Sequence, residues 1–200
     1  ITNGSFELGV DPGSFSAQSA GSTDITGWDV GPAGVDYIGT YWTASDGTRS
    51  IDMSNLNAGS LSQSLSGLTI GQQYTVTFDM AGNPDGGPIV KQMDVSAGGL
   101  TSTYIFDTTG KSKSNMGWAT KTFIFVATAT TEQLIIAPIK RRIDDDALGD
   151  GGRVIVRVHL QVGILGLIRN IRQRARGAPV HRTVDRLGVR IDQELVRVAA

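Results

Sequence analysis

The chain contains no cysteine, and its two histidines, His159 and His181, both lie in the last quarter of the sequence. Without cysteine there is no disulfide framework, no thiolate metal site and no cysteine nucleophile. A Ser-His-Asp arrangement also cannot be built in the first 150 residues, because they contain no histidine. No run reaches the roughly 18 apolar residues that would predict a membrane span. These absences exclude the commonest nucleophilic chemistry from most of the chain.

Strong net charge is also lacking. The formal net charge is −1, which does not favour a nucleic-acid partner. The charges are unevenly distributed, however: residues 1–139 carry five Lys/Arg and twelve Asp/Glu, whereas residues 140–200 carry thirteen and seven. All thirteen aromatic residues lie between Phe6 and Phe125, while arginine occurs once before residue 140 and twelve times after it. We therefore predict one domain over residues 1–138 and an atypical basic tail over residues 139–200.

The clearest strand pattern lies between Gln73 and Ala81, where large apolar residues alternate with threonine and aspartate. The run from Gly82 to Pro88 cannot continue this strand, because proline lacks an amide donor and glycine favours turns. Short segments of this kind, separated by Gly, Pro, Asn and Asp, predict an all-β antiparallel sandwich. The predicted strands are Thr2–Glu7, Thr26–Val30, Val35–Ile38, Ser50–Ser54, Ser60–Leu65, Gln73–Ala81, Val90–Ser96, Ser102–Phe106, Thr120–Ala127 and Gln133–Ala137. The predicted core residues are Tyr74, Val76, Phe78, Phe123, Phe125, Leu134 and Ile136.

Seven motifs follow one another along residues 1–137. They are TNGSFE at 2–7, GW at 27–28, VDYIGTYW at 35–42, DGTRSIDMS at 46–54, YTVTFDMAGNPDGGP at 74–88, FDTTGKS at 106–112 and NMGW at 115–118. In this order they resemble the bacterial choice-of-anchor C family, which is similar to the plant cell-wall proteins of domain of unknown function 642. Both families resemble carbohydrate-binding modules, so the resemblance implies a galactose-binding-like jelly roll.

Aromatic and polar residues together predict a sugar site, because a sugar offers flat C–H faces and hydroxyl groups. Tyr37, Tyr41 and Trp42 lie close together in the sequence, and the loop from Asn83 to Pro88 is a candidate polar rim. The alternatives are core packing for the aromatic residues and a plain connection for the loop. The candidate ligand-binding residues are Asp36, Tyr37, Tyr41, Trp42, Arg49, Asn83, Asp85 and Gln92.

The resemblance also implies a structural calcium ion between the N-terminal segment and the closing strand. Calcium takes six to eight oxygen ligands. Glu7 matches the family's ligand, and backbone carbonyls of the Asp46-Gly47 turn are candidate further ligands. The aspartate of the family's closing strand has no secure counterpart here.

The tail departs from the family pattern, since LIIAPIKRRIDDDALGDGG stands where a strand resembling GPALDNVSV is expected. Residues Val154 to Val162 alternate in a strand-like way, and apolar residues from Val184 to Val198 repeat at helical spacing. A reading-frame shift would produce such an Arg-rich end. A true tail helix and an unusual anchor are the alternatives. We predict that the tail is partly helical or disordered and lies outside the jelly roll.

The function predicted from these features is non-catalytic binding of a cell-wall or extracellular polysaccharide. The alternative is a structural or protein-interaction domain of the extracellular matrix without a sugar site. Paired carboxylates among Glu7, Asp36, Asp79, Asp85 and Asp94 would be needed for glycoside hydrolysis. Aspartates scattered in this way are typical of turns and solvated surfaces. Richness in Ser, Thr, Gly and Asn favours a secreted or cell-surface protein, and we expect a monomer whose signal peptide is not present in this sequence.

Overall fold

The computed structural model describes residues 1–55 and 57–139, together with the backbone of Val154–Gln161. All of these residues belong to one compact unit, Ile1–Gly166. They contain no helix, and therefore none that could cross a membrane. The strands are β1 Phe15–Gln18, β2 Asp29–Val30, β3 Val35–Ile38, β4 Ser50–Asp52, β5 Leu61–Ser66, β6 Gln73–Gly82, β7 Val90–Ala97, β8 Leu100–Asp107, β9 Ala119–Val126, β10 Thr131–Pro138 and β11 Val154–Gln161.

The described strands form two antiparallel sheets. One has the order β1-β3-β4-β11-β6-β9, and the other has the order β2-β5-β10-β7-β8. The two sheets pack face to face, since Phe78 on β6 meets Tyr104 on β8 edge to face with ring centroids 4.9 Å apart. The all-β sandwich of jelly-roll type predicted from the sequence is thereby confirmed.

Alternation along β6 and its partner β9 explains the core. Tyr74 lies opposite Phe125, and Val76 lies opposite Phe123, so the large side chains share the inner face. The rings of Phe123 and Phe125 stack with centroids 5.9 Å apart. All seven predicted core residues are buried, which confirms that part of the prediction.

The N-terminal strand is the clearest error among the described strands. Thr2–Glu7 forms a turn, because Asn3 and Phe6 take positive φ angles of 51° and 61°. The amide of Phe6 donates to the carbonyl of Asn3 at 3.1 Å, and the Phe6 side chain is fully buried. The turn alone thus places the Phe6 side chain in the core, without a strand. A short strand that was not predicted, β1, follows instead.

The other boundaries lie close to their predicted positions. The segment predicted at Thr26–Val30 shortens to the two residues of β2. The remaining predicted strands agree with the structure to within two residues at each end.

The end of the sandwich differs from the prediction at one strand. We expected the jelly roll to end near residue 138, but β11 lies between β4 and β6 and pairs with β6 from Val154↔Gly82 to Gln161↔Thr75. The alternating residues Val154–Gln161 thus form a strand of the sheet. The change in composition after residue 138 therefore does not mark the end of the sandwich. The predicted helical repeat beyond Val184 lies outside the described residues.

Candidate functional site

Three loops of the sandwich are tied together by hydrogen bonds. They are residues 39–49 between β3 and β4, residues 83–89 between β6 and β7, and residues 108–118 between β8 and β9. The amide of Thr43 donates to the carbonyl of Lys113 at 3.0 Å, and the indole N–H of Trp118 donates to the carbonyl of Thr43 at 2.9 Å. The hydroxyl of Tyr41 donates to Oδ2 of Asp85 at 2.8 Å. The first loop therefore contacts both of the others.

Four side chains at this meeting point form what we call the loop cluster: Phe15, Tyr41, Asp85 and Lys113. The Phe15 ring is 51% exposed and meets Tyr41 edge to face at 5.4 Å. Nζ of Lys113 lies 2.9 Å from Oδ2 of Asp85 and 3.9 Å from the centroid of the Tyr41 ring. The hydrogen bond to Asp85, followed by the one to Tyr41, raises the pKa of Lys113 above its ordinary value. The cluster thus offers an apolar ring, a carboxylate acceptor and an ammonium donor on an accessible surface.

Trp42 does not provide the exposed platform that the sequence suggested. It is 5% exposed, and its indole N–H donates to the hydroxyl of Ser50 at 2.9 Å. Its ring meets that of Tyr41 edge to face at 5.3 Å. Trp42 therefore supports Tyr41 from the core instead of meeting a ligand.

Tyr37 and Arg49 form a second network, in which the tyrosine is buried and the arginine is partly exposed. Tyr37 is fully buried, its hydroxyl donates to the carbonyl of Phe6, and Nη1 of Arg49 donates to that hydroxyl at 2.7 Å. Burial raises the pKa of Tyr37 above 10.0, although the hydrogen bond from Arg49 opposes this shift. Asp36 is buried too, and it lies opposite Asp52 in the pairing of β3 and β4. As placed here, Tyr37 and Asp36 are not ligand-facing.

Asn83 supports the loop that carries Asp85. It is buried, and its Nδ2 donates to Oδ2 of Asp52 at 3.1 Å. Its Oδ1 accepts the amide hydrogen of Asp85 at 2.9 Å, so Asn83 fixes the start of the loop that presents Asp85. Gln92 lies on β7 of the other sheet, paired in register with Ile105. Its carbonyl accepts the amide hydrogen of Ile139, and no described hydrogen bond joins it to the loop cluster.

Glu7 lies against the Asp46-Gly47 turn, and its described contacts there are hydrogen bonds. Its Oε1 accepts the amides of Thr48 and Arg49 at 2.9 and 3.0 Å, and its Oε2 accepts the Thr48 hydroxyl at 2.9 Å. A Cβ atom at Gly47 would lie 2.3 Å from Oε1, so this approach depends on glycine. We call this arrangement the Glu7 clamp.

The groups around Glu7 donate hydrogen, whereas calcium takes oxygen ligands. Among the described residues there is no group of three or more Asp, Glu or His that could hold a metal ion. Calcium binding at Glu7, Asp46 and Gly47 stays a prediction.

The remaining carboxylates considered for glycoside hydrolysis have separate partners. Thr120 donates to Asp79 at 2.7 Å on one sheet, and Thr103 donates to Asp94 at 2.6 Å on the other. Asp85 is bound to Tyr41 and Lys113. None of these contacts joins one carboxylate to another.

A family model described as "Protein of unknown function (DUF642)" matches residues 1–154. The chain belongs to the DUF642 family. This confirms one half of the resemblance given above, and membership of the choice-of-anchor C family stays a prediction.

One curated relative of this DUF642 chain is "Halomucin" from Haloquadratum walsbyi, which is 32% identical over 143 residues. The match covers 70% of this chain but 2% of the relative, so the chain spans a small part of that protein's length. Among solved structures, TmCBM61 in complex with β-1,4-galactotriose has 17% identity and a TM-score of 0.46, with 82% of this chain and 97% of that chain covered. A family 35 carbohydrate-binding module from Clostridium thermocellum has 11% identity and a TM-score of 0.45, with 72% and 95% covered.

Three residues of this DUF642 site were not predicted from the sequence: Phe15, Lys113 and Lys91. Lys91 is 1% exposed, and its Nζ donates to the carbonyl of Gly86 at 2.6 Å, within the loop that carries Asp85. Phe15 stands between two serines, and Lys113 lies in a Lys-Ser-Lys-Ser run just before the NMGW motif. For Phe15, the signal available in the sequence was an aromatic residue between two small polar residues. For Lys91, a lysine amid the apolar alternation of a strand was the signal.

Proposed function

We propose that this DUF642 domain is a non-catalytic glycan-binding module of a secreted or cell-surface protein, with the loop cluster as its sugar site. The observation that carries the proposal is the exposed ring of Phe15, which packs against the half-buried ring of Tyr41 beside the Asp85–Lys113 ion pair. The expected ligand is a cell-wall or extracellular polysaccharide, the class suggested by the resemblance of the motifs to plant cell-wall proteins.

Each member of the loop cluster matches one part of a sugar ring. The C–H face of a pyranose packs against an exposed aromatic ring such as that of Phe15. The Asp85 carboxylate accepts a hydroxyl hydrogen, and the Lys113 ammonium donates to a hydroxyl oxygen, with hydrogen bonds strengthened by charge. Because Asp85 is already held by Tyr41 and Asn83, little side-chain freedom is lost on binding.

Affinity electrophoresis in soluble polysaccharides, pull-down on insoluble ones and a glycan array test this proposal. We expect the intact protein to bind at least one glycan, and Phe15→Ala and Tyr41→Ala to weaken binding by tenfold or more, equal to about 1.4 kcal/mol. Ile105→Ala is the matched control, because Ile105 is 53% exposed but lies on the other sheet. Its binding should equal that of the unsubstituted protein.

Three results would contradict the proposal in whole or in part. Equal loss of binding in Ile105→Ala would show that the loop cluster is not the site. Retention on no glycan at all would favour the alternative of a structural or protein-interaction domain. Release of reducing sugar in a hydrolase screen would contradict the non-catalytic part alone.

A further inference from the structure

A second candidate site lies where the N-terminal segment meets the edge of the five-stranded sheet. An open cavity of about 620 Å³ lies between Thr2, the segment from residue 21 to residue 30, and residues Gln63 and Ser64 of β5. None of the loop-cluster residues lines this cavity. Its volume falls within the range of about 300 to 1,000 Å³ that is usual for small-molecule sites.

The cavity exists because the edge strand is short. β2 has two residues and pairs with Leu61 and Ser62, so among the described strands none lies beside the rest of β5 on that side. Gln63 spans the gap with its side chain: Oε1 accepts the amide of Thr2 at 2.7 Å, and Nε2 donates to the carbonyls of Thr2 and Gly27. Gly27 has a φ of +80°, and a Cβ there would lie 3.0 Å from Cγ2 of Thr2. The wall is therefore closely fitted and held in place before any ligand arrives.

An aromatic residue in the lining is held just as firmly. Trp28 lines the cavity, and its indole N–H donates to the carbonyl of Asn3 at 2.9 Å. Its ring packs against Phe6 with centroids 5.2 Å apart. The Trp28 indole and the Gln63 amide both keep their hydrogen-bond partners while the cavity is open.

The residue types in the lining select the kind of ligand. Serine and threonine hydroxyls dominate the polar part, Asp29 is the lining carboxylate, and no lysine or arginine takes part. Without a cation the lining does not suit a phosphate, sulfate or carboxylate ligand. A lone carboxylate does not suit a divalent cation, which needs several oxygen ligands. Exposed hydroxyls and one acceptor, set over the buried side chains of Ile25 and Trp28, suit a neutral polyhydroxylated molecule.

We propose that this cavity is a second saccharide site, independent of the loop cluster, which takes a neutral sugar unit. Asp29, Thr26 and Ser64 are exposed and are the groups that meet its hydroxyls. The inference rests on the proposed function for its ligand class, but it concerns other residues and has its own reporter.

The three tryptophans of the chain make the test direct, since each indole N–H gives one signal in a ¹H–¹⁵N spectrum. Trp28 reports on the cavity, and Trp118, which donates to Thr43, reports on the loop cluster. The full chain is titrated with β-1,4-galactotriose, cellotetraose and xylotetraose up to the millimolar range. We expect at least one of them to shift the Trp28 signal in a saturable way.

A cavity-filling variant and its matched control complete the design. Ser64→Phe places a ring in the cavity, whereas Ser66→Phe adds the same ring two residues further along β5, outside the lining. We expect Ser64→Phe to weaken the Trp28 response by tenfold or more, and Ser66→Phe and Tyr41→Ala to leave it unchanged. The remaining signals of each variant must match those of the parent, which shows that the fold is retained.

The possible failures are distinguishable. A saturable shift of Trp118 without one of Trp28 overturns this inference and leaves the proposed function intact. A Trp28 shift that disappears in Tyr41→Ala also overturns it, because both signals would then report one site. A Trp28 shift that survives Ser64→Phe shows that the sugar does not enter the cavity. A response of Trp28 alone supports the second site and contradicts the loop cluster as the sugar site.

Discussion

At the scale of single residues, Glu7 shows how one side chain can hold the N-terminal segment to a turn. It accepts two amide hydrogens and one hydroxyl hydrogen from Thr48 and Arg49. Hydrogen bonds to a charged group contribute roughly 1.5 to 3 kcal/mol. We expect Glu7→Ala to lower the free energy of unfolding in urea by about that amount, and Glu7→Gln, which keeps one acceptor, by less. An unchanged urea midpoint in Glu7→Ala would show that the clamp contributes nothing.

Chelation separates the Glu7 clamp from a metal site. The calcium prediction requires EDTA to lower the melting temperature of the parent protein and added calcium to restore it. It also requires Glu7→Ala to abolish this response. A melting temperature that EDTA leaves unchanged would rule out a stabilising calcium ion under those conditions, and the hydrogen bonds of the clamp would then account for the role of Glu7.

Among the core residues, Phe78 is the one whose truncation we expect to lower the free energy of unfolding strongly. Its side chain is fully buried and meets Tyr104 across the two sheets. Removing a large buried aromatic side chain typically costs about 3 to 5 kcal/mol, a large share of the stability of an ordinary domain. We expect Phe78→Ala to be largely unfolded, or to melt at a much lower temperature, by circular dichroism. A cooperative transition at nearly the parent temperature would show that Phe78 does not hold the sheets together.

The sequence could not predict which aromatic residues of the candidate site are buried and which are exposed. Tyr37, Tyr41 and Trp42 lie within six residues, yet Tyr37 and Trp42 are buried and Tyr41 is only partly buried. Which of them is exposed depends on the Gly39 to Trp42 loop and on its contacts with residues 83–89 and 108–118, which are distant in the sequence. Phe15 was missed for the same reason.

At the scale of elements, Lys91 connects β7 to the loop that presents Asp85. Its ammonium group donates to the carbonyl of Gly86, and its stem packs within the sandwich. Lys91→Met keeps the apolar volume but removes the donor. We expect this variant to fold and to bind glycan several-fold more weakly than the parent in the same affinity electrophoresis, because Asp85 is then less firmly placed.

Lys91→Arg provides the comparison, since it keeps a donor in the same region. Binding by Lys91→Met that equals binding by the parent, with melting temperatures also equal, would show that the loop does not depend on Lys91. A lower melting temperature with unchanged binding would assign Lys91 to stability alone.

Strand prediction succeeded where alternation and burial agreed. β6, β9 and β10 each have one buried and one accessible face, so the period of two is visible in the sequence. It failed at Thr2–Glu7, where two residues at positive φ turn the chain although Phe6 is buried. At Val154–Gln161 the alternation was visible, but composition was given more weight. Local pattern was thus the better guide to that strand.

Shortening the chain tests what β11 contributes. A chain that ends after Ile139 leaves the facing edges of β4 and β6 without the strand that pairs with both. We expect it to aggregate or to melt without cooperativity, whereas a chain that ends after Gly166 should melt like the full chain. Equal melting of all three would show that Val154–Gln161 does not stabilise the sandwich, in agreement with the boundary at 138 that the sequence suggested.

At the scale of the whole molecule, the origin of the tail is a question for the nucleotide sequence. The reading-frame hypothesis predicts a strand resembling LDNVSV in another frame after the codon for Pro138. The structure adds a physical criterion to this search. The segment found must be able to occupy the gap between β4 and β6, so it must alternate over about as many residues as β11 pairs with β6.

The position of β11 has a consequence for how the protein folds. Four strands lie between β6 and β11 in the sequence, yet the two are neighbours in the sheet, and β11 also separates β4 from β6. Without β11 the described strands of this sheet can form only two separate halves, β1-β3-β4 and β6-β9, each with an open edge. Open edges recruit other strands, and closing such distant pairs is slow. We therefore expect the six-stranded sheet to be completed late in folding, when β11 enters between β4 and β6.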